Sequence, residues 1–191
     1  MCWSGEASAV LATVGLASTA YVAKKGEDRN LWLPLAYFSV MELLQAVTYT
    51  VINLCDLPLN QVLTFLGAFH IAFQPFFINM FSLHFIKKEL REKITPWVYT
   101  ICFIGSITFL FRLIPFDWAG TCVQVNDAMC GTRTCSVSGT WHIAWEIPLN
   151  GLKIVGLGYA IPAFILPILY GSWRFTLYHV LVGPLLAKMT T

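Results

Sequence analysis

Between Val62 and Ile86 the chain runs for 25 residues without one Asp, Glu, Lys or Arg. A helix needs about 20 mostly apolar residues to cross the hydrocarbon core of a bilayer. Backbone N–H and C=O groups find no water there, so the run must satisfy them internally, which a helix does. Comparable runs are Ala7–Ala23, Leu31–Cys55, Pro96–Pro115 and Leu152–Gly171, and a shorter one, Trp173–Lys188, contains Gly183-Pro184. None shows the ten-residue alternation of a membrane barrel. The expected fold is therefore all-α: one domain over residues 1–191, a polytopic transmembrane bundle. Its six spans are expected at about 7–23, 31–55, 62–86, 96–115, 152–171 and 173–188.

Composition agrees. Of 191 residues, 57% are hydrophobic and 12% are charged, against about 25% charged in a soluble domain. The expected partner is the lipid bilayer, with a larger membrane complex or further copies of the chain as protein partners. The net charge is only +2 and no basic stripe carries interleaved aromatics, which argues against nucleic acid.

Charge also sets an expected orientation. Lys and Arg collect in "KKGEDRN" after the first run and in "KKELREK" after the third, and Arg174 lies between the last two runs. The positive-inside rule places those loops in the cytoplasm and the N-terminus outside, in the cell (inner) membrane. The first run lacks a basic stretch before it, so it is expected to remain as a helix rather than act as a cleaved signal.

The cysteines follow the same division. Cys2, Cys55, Cys122, Cys130 and Cys135 all map to the outer face, and Cys102 alone lies within a span. That distribution suits disulfides in an oxidising compartment. Cys130–Cys135 is a candidate short loop, and one of the five outer cysteines is left over. The spacing does not match a standard zinc site.

The spans also carry polar groups. On a 100° wheel with His70 at zero, Gln74 falls at about 40° and His84 at about −40°, with Asn79 opposite. Pro75 should bend this helix. In the second run Glu42, Gln45, Tyr49 and Asn53 form one stripe. Lipid penalises exposing either face, so the two should meet in a shared interior, with Gln45 level with His70 and Glu42 near Gln74. Interhelical hydrogen bonding accounts for the Gln and Asn residues. Glu42 is different: a carboxylate at mid-membrane costs roughly 2.5–3.5 kcal/mol, so a functional role is its default reading. Glu42, Gln45, His70 and Gln74 are the candidate solute or proton path. Arg112 near the outer end of the fourth run is expected to snorkel or to pair with Asp117 or Asp56.

The outer loop 116–150 is too long for a simple connector. Its segment "GTWHIAWEIPLN" spaces Trp141 and Trp145 one helical turn apart, and likewise His142 and Glu146. A short interfacial helix is expected there, with both Trp at the headgroup level. Folded over the mouth of the bundle, it would bring His142 and Glu146 towards Glu42 and His70 as a candidate metal site.

The opening "MCWS", the "ELLQ" at 42–45, Gln74-Pro75 and the Trp-His-x-x-Trp segment together resemble an uncharacterised family of small polytopic membrane proteins. That resemblance implies no activity. Alkaline ceramidase-like membrane hydrolases were also compared. Their paired C-terminal histidines have no counterpart, because His179 stands alone.

No G-x-S-x-G, H-E-x-x-H, phosphate loop or dinucleotide fingerprint occurs. Three readings stand. The first is small-solute or proton-coupled transport centred on Glu42. The second is a cofactor- or metal-bearing accessory subunit using His70, His142 or His179. The third is an intramembrane metal-dependent hydrolase with Glu42, His70 and His142 as ligands. No particular cofactor is specified.

Overall fold

The computed structural model describes residues 4–123, 129–139, 142–152 and 155–181. Four helices are long and apolar enough to cross a membrane: α1 (Gly5–Lys24), α2 (Arg29–Tyr49), α3 (Pro58–His84) and α4 (Lys88–Phe111). Large apolar side chains point away from the bundle along them, among them Val14, Val40, Leu43, Phe69, Ile104 and Ile107. Such a surface suits lipid rather than water. Four helices of this length and composition suit an integral membrane location.

Helix ends depart from the apolar runs for local reasons. α1 begins at Gly5 because Ser4 caps it, its hydroxyl accepting from the Ala7 N–H at 3.1 Å. Asp28 caps α2 in the same way, through the Asn30 N–H at 2.9 Å. α2 stops at Tyr49, short of the expected residue 55, where the chain breaks into turns. Asn53 there adopts φ 65°, a left-handed conformation that Asn tolerates better than most residues. Asn53 is consequently not part of a helical stripe. α4 begins at Lys88 rather than near Pro96 and carries Pro96 inside the helix, where one ladder hydrogen bond is lost.

The fifth apolar stretch is interrupted. It comprises α5 (Val155–Ala160), a π-helical segment Ile161–Ile165 and α6 (Leu166–Leu169). Pro162 and Pro167 lack the N–H groups that the α ladder needs, and the wider turn lies between them. Its apolar helical part, Gly158–Leu169, is shorter than the four long helices. α7 (Trp173–Val180) follows; residues 182–188 of the sixth expected span lie outside the described residues.

Small residues set the helix crossings. Gly15 lies so close to α2 that an added Cβ would come 2.2 Å from the Ser39 hydroxyl oxygen. At Gly105 the added atom would lie 2.1 Å from the Gly158 carbonyl oxygen, joining α4 to α5 backbone to backbone. Between α3 and α4, Ser106 donates to the Ala72 carbonyl at 2.6 Å.

Among its described residues, the loop that follows α4 does not form the expected interfacial helix. Residues 135–146 form a β-hairpin, β1 (Cys135–Ser138) pairing antiparallel with β2 (Ile143–Glu146). The spacing of Trp145 and Glu146 was compatible with a helix, but the β-branched and aromatic run favours an extended ladder once a partner strand is present. Trp141 lies outside the described residues. Ser136 and Trp145 are cross-strand partners, and both face α3. Ser136 bonds Thr64 and Asn60, and the Trp145 indole lies against Gly67, about 3.3 Å from where a Cβ would be.

Two disulfides fasten this cap, Cys55–Cys135 and Cys122–Cys130. They replace the expected Cys130–Cys135 link: Cys135, at the start of the docked strand, is bonded to Cys55 in the α2–α3 turn instead. Cys2 lies outside the described residues. Asn150 ties the end of the loop to α4, donating to the carbonyls of Phe111 at 3.0 Å and Ile114 at 2.9 Å. Arg112 donates to the Asn150 carbonyl at 3.3 Å, which also ties the end of α4 to this loop.

The two ends of the bundle are therefore distinct. The 2–3 turn and the hairpin share one end. At the other, Asp28 of the 1–2 loop lies 3.8 Å from His84 at the end of α3, and Ser172 donates to the Ser82 carbonyl at 3.1 Å.

Candidate functional site

Tyr37 fixes the register of α2 against α3. Its ring lies between those of His70 and Phe77, 3.7 Å from one centroid and 3.6 Å from the other, nearly parallel to both. Its hydroxyl donates to the His70 carbonyl. Pro75 lies inside α3 between His70 and Phe77 and, having no N–H, leaves the Ile71 carbonyl without its ladder donor.

The antiparallel register then follows. Tyr37 sits level with about Gln74, so Glu42, five residues on, comes level with about Phe69 at 1.5 Å per residue. Glu42 and His70 are thus within about 3 Å in depth. This shifts the expected pairing: His70 is level with Glu42 rather than Gln45, and Gln74 with Tyr37 rather than Glu42. The sequence-based levels assumed α2 to reach Cys55, whereas it ends at Tyr49.

α1 packs against α2. Gly5 packs on Tyr49 and Gly15 on Ser39. In that antiparallel register Ala12 comes level with Glu42, and Ser8 with Gln45–Ala46. Ala12 and Ser8 are both buried.

Several polar atoms in this layer are buried and bonded to nothing among the described residues: Glu42 Oε2, Gln45 Oε1, His70 Nε2 and Ser8 Oγ. Buried polar atoms are nearly always paired in native proteins. Gln74 is different. Its Oε1 accepts from the Tyr159 hydroxyl at 2.7 Å, which ties α3 to α5. Towards the cap, Thr64 and Asn60 of α3 bond the hairpin instead. The Thr64 hydroxyl lies 2.7 Å from that of Ser136.

Asn79 belongs to a separate, closed network. Its amide donates to the carbonyls of Pro75 and Pro162, both at 2.7 Å, and its oxygen accepts from Tyr170 at 2.8 Å. It therefore joins α3 to the π segment and to the end of α6, on the face opposite His70 that the helical wheel assigns it.

His142 and Glu146 lie in the cap. His142 Nδ1 is 2.8 Å from the Ile143 carbonyl oxygen, and Glu146 packs over Gly131. Among the described residues no three His, Cys, Asp or Glu side chains converge as a metal ion would need. The donor set for a metal is accordingly not assembled by Glu42, His70, His142 and Glu146 in this arrangement.

Sequence reasoning missed Tyr37, Tyr159 and Ser8. Tyr in an apolar run reads equally as a packing residue, and only the register reveals a ring stacked on His70. Ser8 belongs to a small-residue stripe whose function is close packing, so its hydroxyl carried no separate signal.

No curated protein and no solved structure matches this chain. The match lies with a family model that spans residues 6–191. The chain belongs to that family, described as a family of unknown function (DUF5765).

Proposed function

We propose that the protein is a membrane carrier that moves a proton, alone or with a small protic solute, along the polar groups that α1, α2 and α3 present around the level of Glu42. Glu42 and His70 are the groups that exchange the proton, Gln45 and Ser8 bind the solute or the water that accompanies it, and Tyr37 holds His70 in place. The observation that carries this reading is the set of buried, unbonded polar atoms on Glu42, Gln45, His70 and Ser8 in one layer of the bundle. Lipid-facing or merely structural polar groups would be paired with each other, as those around Asn79 are.

In this reading α5, α6 and α7 complete the spans of the bundle. The hairpin stands outside the cell membrane and the basic loops lie in the cytoplasm, as the positive-inside rule requires. The hairpin covers the outer mouth of the column, and its Cys55–Cys135 link limits how far that cover can lift.

The test is proton flux. Protein is reconstituted into liposomes holding a pH-sensitive dye, and a potassium diffusion potential is imposed with valinomycin. Wild type should shift the internal pH several-fold faster than protein-free liposomes, and Glu42→Gln should return to the protein-free rate. Wild type at the protein-free rate, or Glu42→Gln as fast as wild type, overturns the proposal.

A further inference from the structure

At the end of the bundle remote from the hairpin, a cavity of about 380 Å³ opens between α2, α3 and α4. Its polar wall is Asn30, Arg91, Glu92 and Thr95; its apolar wall is Met80, Leu83, Pro96 and Tyr99. We propose that this cavity is a binding site for one anionic phospholipid, with its phosphate on Arg91 and Asn30 and the start of an acyl chain along Met80, Leu83 and Tyr99.

Three observations carry this. First, Arg91 is half-buried and forms no ion pair among the described residues. The neighbouring carboxylates are otherwise engaged. Glu92 lies 3.8 Å from Lys88. Asp28 accepts from the Asn30 N–H and faces His84. A planar guanidinium in a cavity with no direct ion pair, which acts on Asp28 only at longer range, suits a phosphate, which it can grip with two parallel N–H groups.

Second, the surroundings are cationic. Lys24, Lys25, Arg29, Lys87, Lys88, Arg91, Lys93 and Arg174 stand at this end against Glu27, Asp28, Glu89 and Glu92, eight positive groups against four negative. Basic pockets between membrane helices at such an end attract anionic headgroups.

Third, the cavity is amphiphilic in the right order. Arg91 and Asn30 lie in the first turns of α4 and α2, where headgroups sit. Met80 and Tyr99 lie a turn or more further into α3 and α4, Tyr99 against the apolar cluster of Val98 and Cys102, while Leu83 closes the cavity from the last turn of α3. A soluble phosphate would use the polar wall and leave the apolar one idle, so a lipid is the occupant to which the cavity commits. This site is separate from the Glu42 column and does not depend on its role.

The experiment is lipid retention by native mass spectrometry on detergent-purified full-length protein, with phosphatidylglycerol and phosphatidylcholine added in equal amounts. Wild type should retain phosphatidylglycerol about fivefold over phosphatidylcholine, the preference one well-placed cation supplies. Arg91→Gln should abolish the preference, Arg91→Lys should keep part of it, and the exposed control Lys93→Gln should leave it unchanged. Equal retention of both lipids by wild type overturns the proposal. So does equal loss in Arg91→Gln and Lys93→Gln, because surface charge alone would then be acting. Inorganic phosphate in excess should not displace the lipid; full displacement would show an anion site with no lipid component. Wild-type preference and phosphate competition decide the matter even if Arg91→Gln fails to fold.

Discussion

The side chain of Asn60 pairs with both backbone polar groups of Ser136, donating to its carbonyl at 3.1 Å and accepting from its N–H at 2.9 Å. The same amide also donates to the Val51 carbonyl at 2.8 Å. One fully buried residue in the first turn of α3 thus stands in for a missing strand along β1 and also holds the end of the α2–α3 turn. Asn60→Ala leaves the Ser136 N–H unpaired in a buried place and removes one of the two donors to the Val51 carbonyl, which keeps the Leu54 N–H. The expected loss is about 1–3 kcal/mol, since leaving a buried polar group unsatisfied costs its desolvation. A thermal melt in detergent measures it. An unchanged melting temperature would mean that the hairpin is not docked on α3.

The disulfide pairing is directly checkable. Proteolysis without reductant should release one linked pair of peptides containing Cys55 with Cys135 and another containing Cys122 with Cys130. A peptide pair joining Cys130 to Cys135 would contradict the docked hairpin. Cys55–Cys135 spans 80 residues, and the chain-entropy model assigns a loop of that size about 4 kcal/mol. Its removal by Cys55→Ser with Cys135→Ser should therefore lower stability more than loss of Cys122–Cys130, whose separation is 8 residues.

At the opposite end, Asp28 gives the protein an acid-sensitive contact. The Asn30 N–H, and more weakly the positive potential of His84 and Arg91, hold its carboxyl below the ordinary carboxylate range despite some burial. A pKa lower in the folded state means that the folded state favours the charged form. The stabilisation is therefore complete above the unfolded carboxylate value of about 3.9 and is lost as pH falls through the lower, folded value. Asp28→Asn should be less stable than wild type near neutral pH, with the gap closing in acid. The side chain is 37% exposed, so the gap should be small and should shrink further in high salt. A gap that widens on acidification would contradict the cap geometry.

Much of this design is written locally. Apolar run length places α1 to α4, because lipid forces backbone self-satisfaction and little else competes with it. Ser4 and Asp28 mark their helix starts by ordinary capping chemistry. The polar faces of α2 and α3 are legible as well, since Glu42, His70 and Gln74 have no comfortable place in lipid. The hairpin was not legible. Trp145 and Glu146 fit a helical spacing over a few residues, and what decides between helix and strand is tertiary: Asn60 and Thr64 accept and donate to an extended Ser136. The disulfide pairing depends on that docking and so was hidden with it. The level of Glu42 against His70 turned on where α2 ends, and that is set by turns after Tyr49 that carry no strong stop signal such as proline or glycine.

The central claim is that the layer of unbonded polar atoms around Glu42 is reached by water. The most direct measurement is thiol labelling of Gln45→Cys by a small, water-soluble, membrane-impermeant reagent, with wild type as the background. Gln45 is buried at 4% exposure and lies in the polar layer, while Cys102 is buried on another face. The account predicts labelling of Gln45→Cys well above wild type, blocked when the reagent is kept to the side opposite the column's mouth. No labelling above wild type, in protein that melts as wild type does, would show a dry interior, with Glu42 and His70 as packing groups rather than a path.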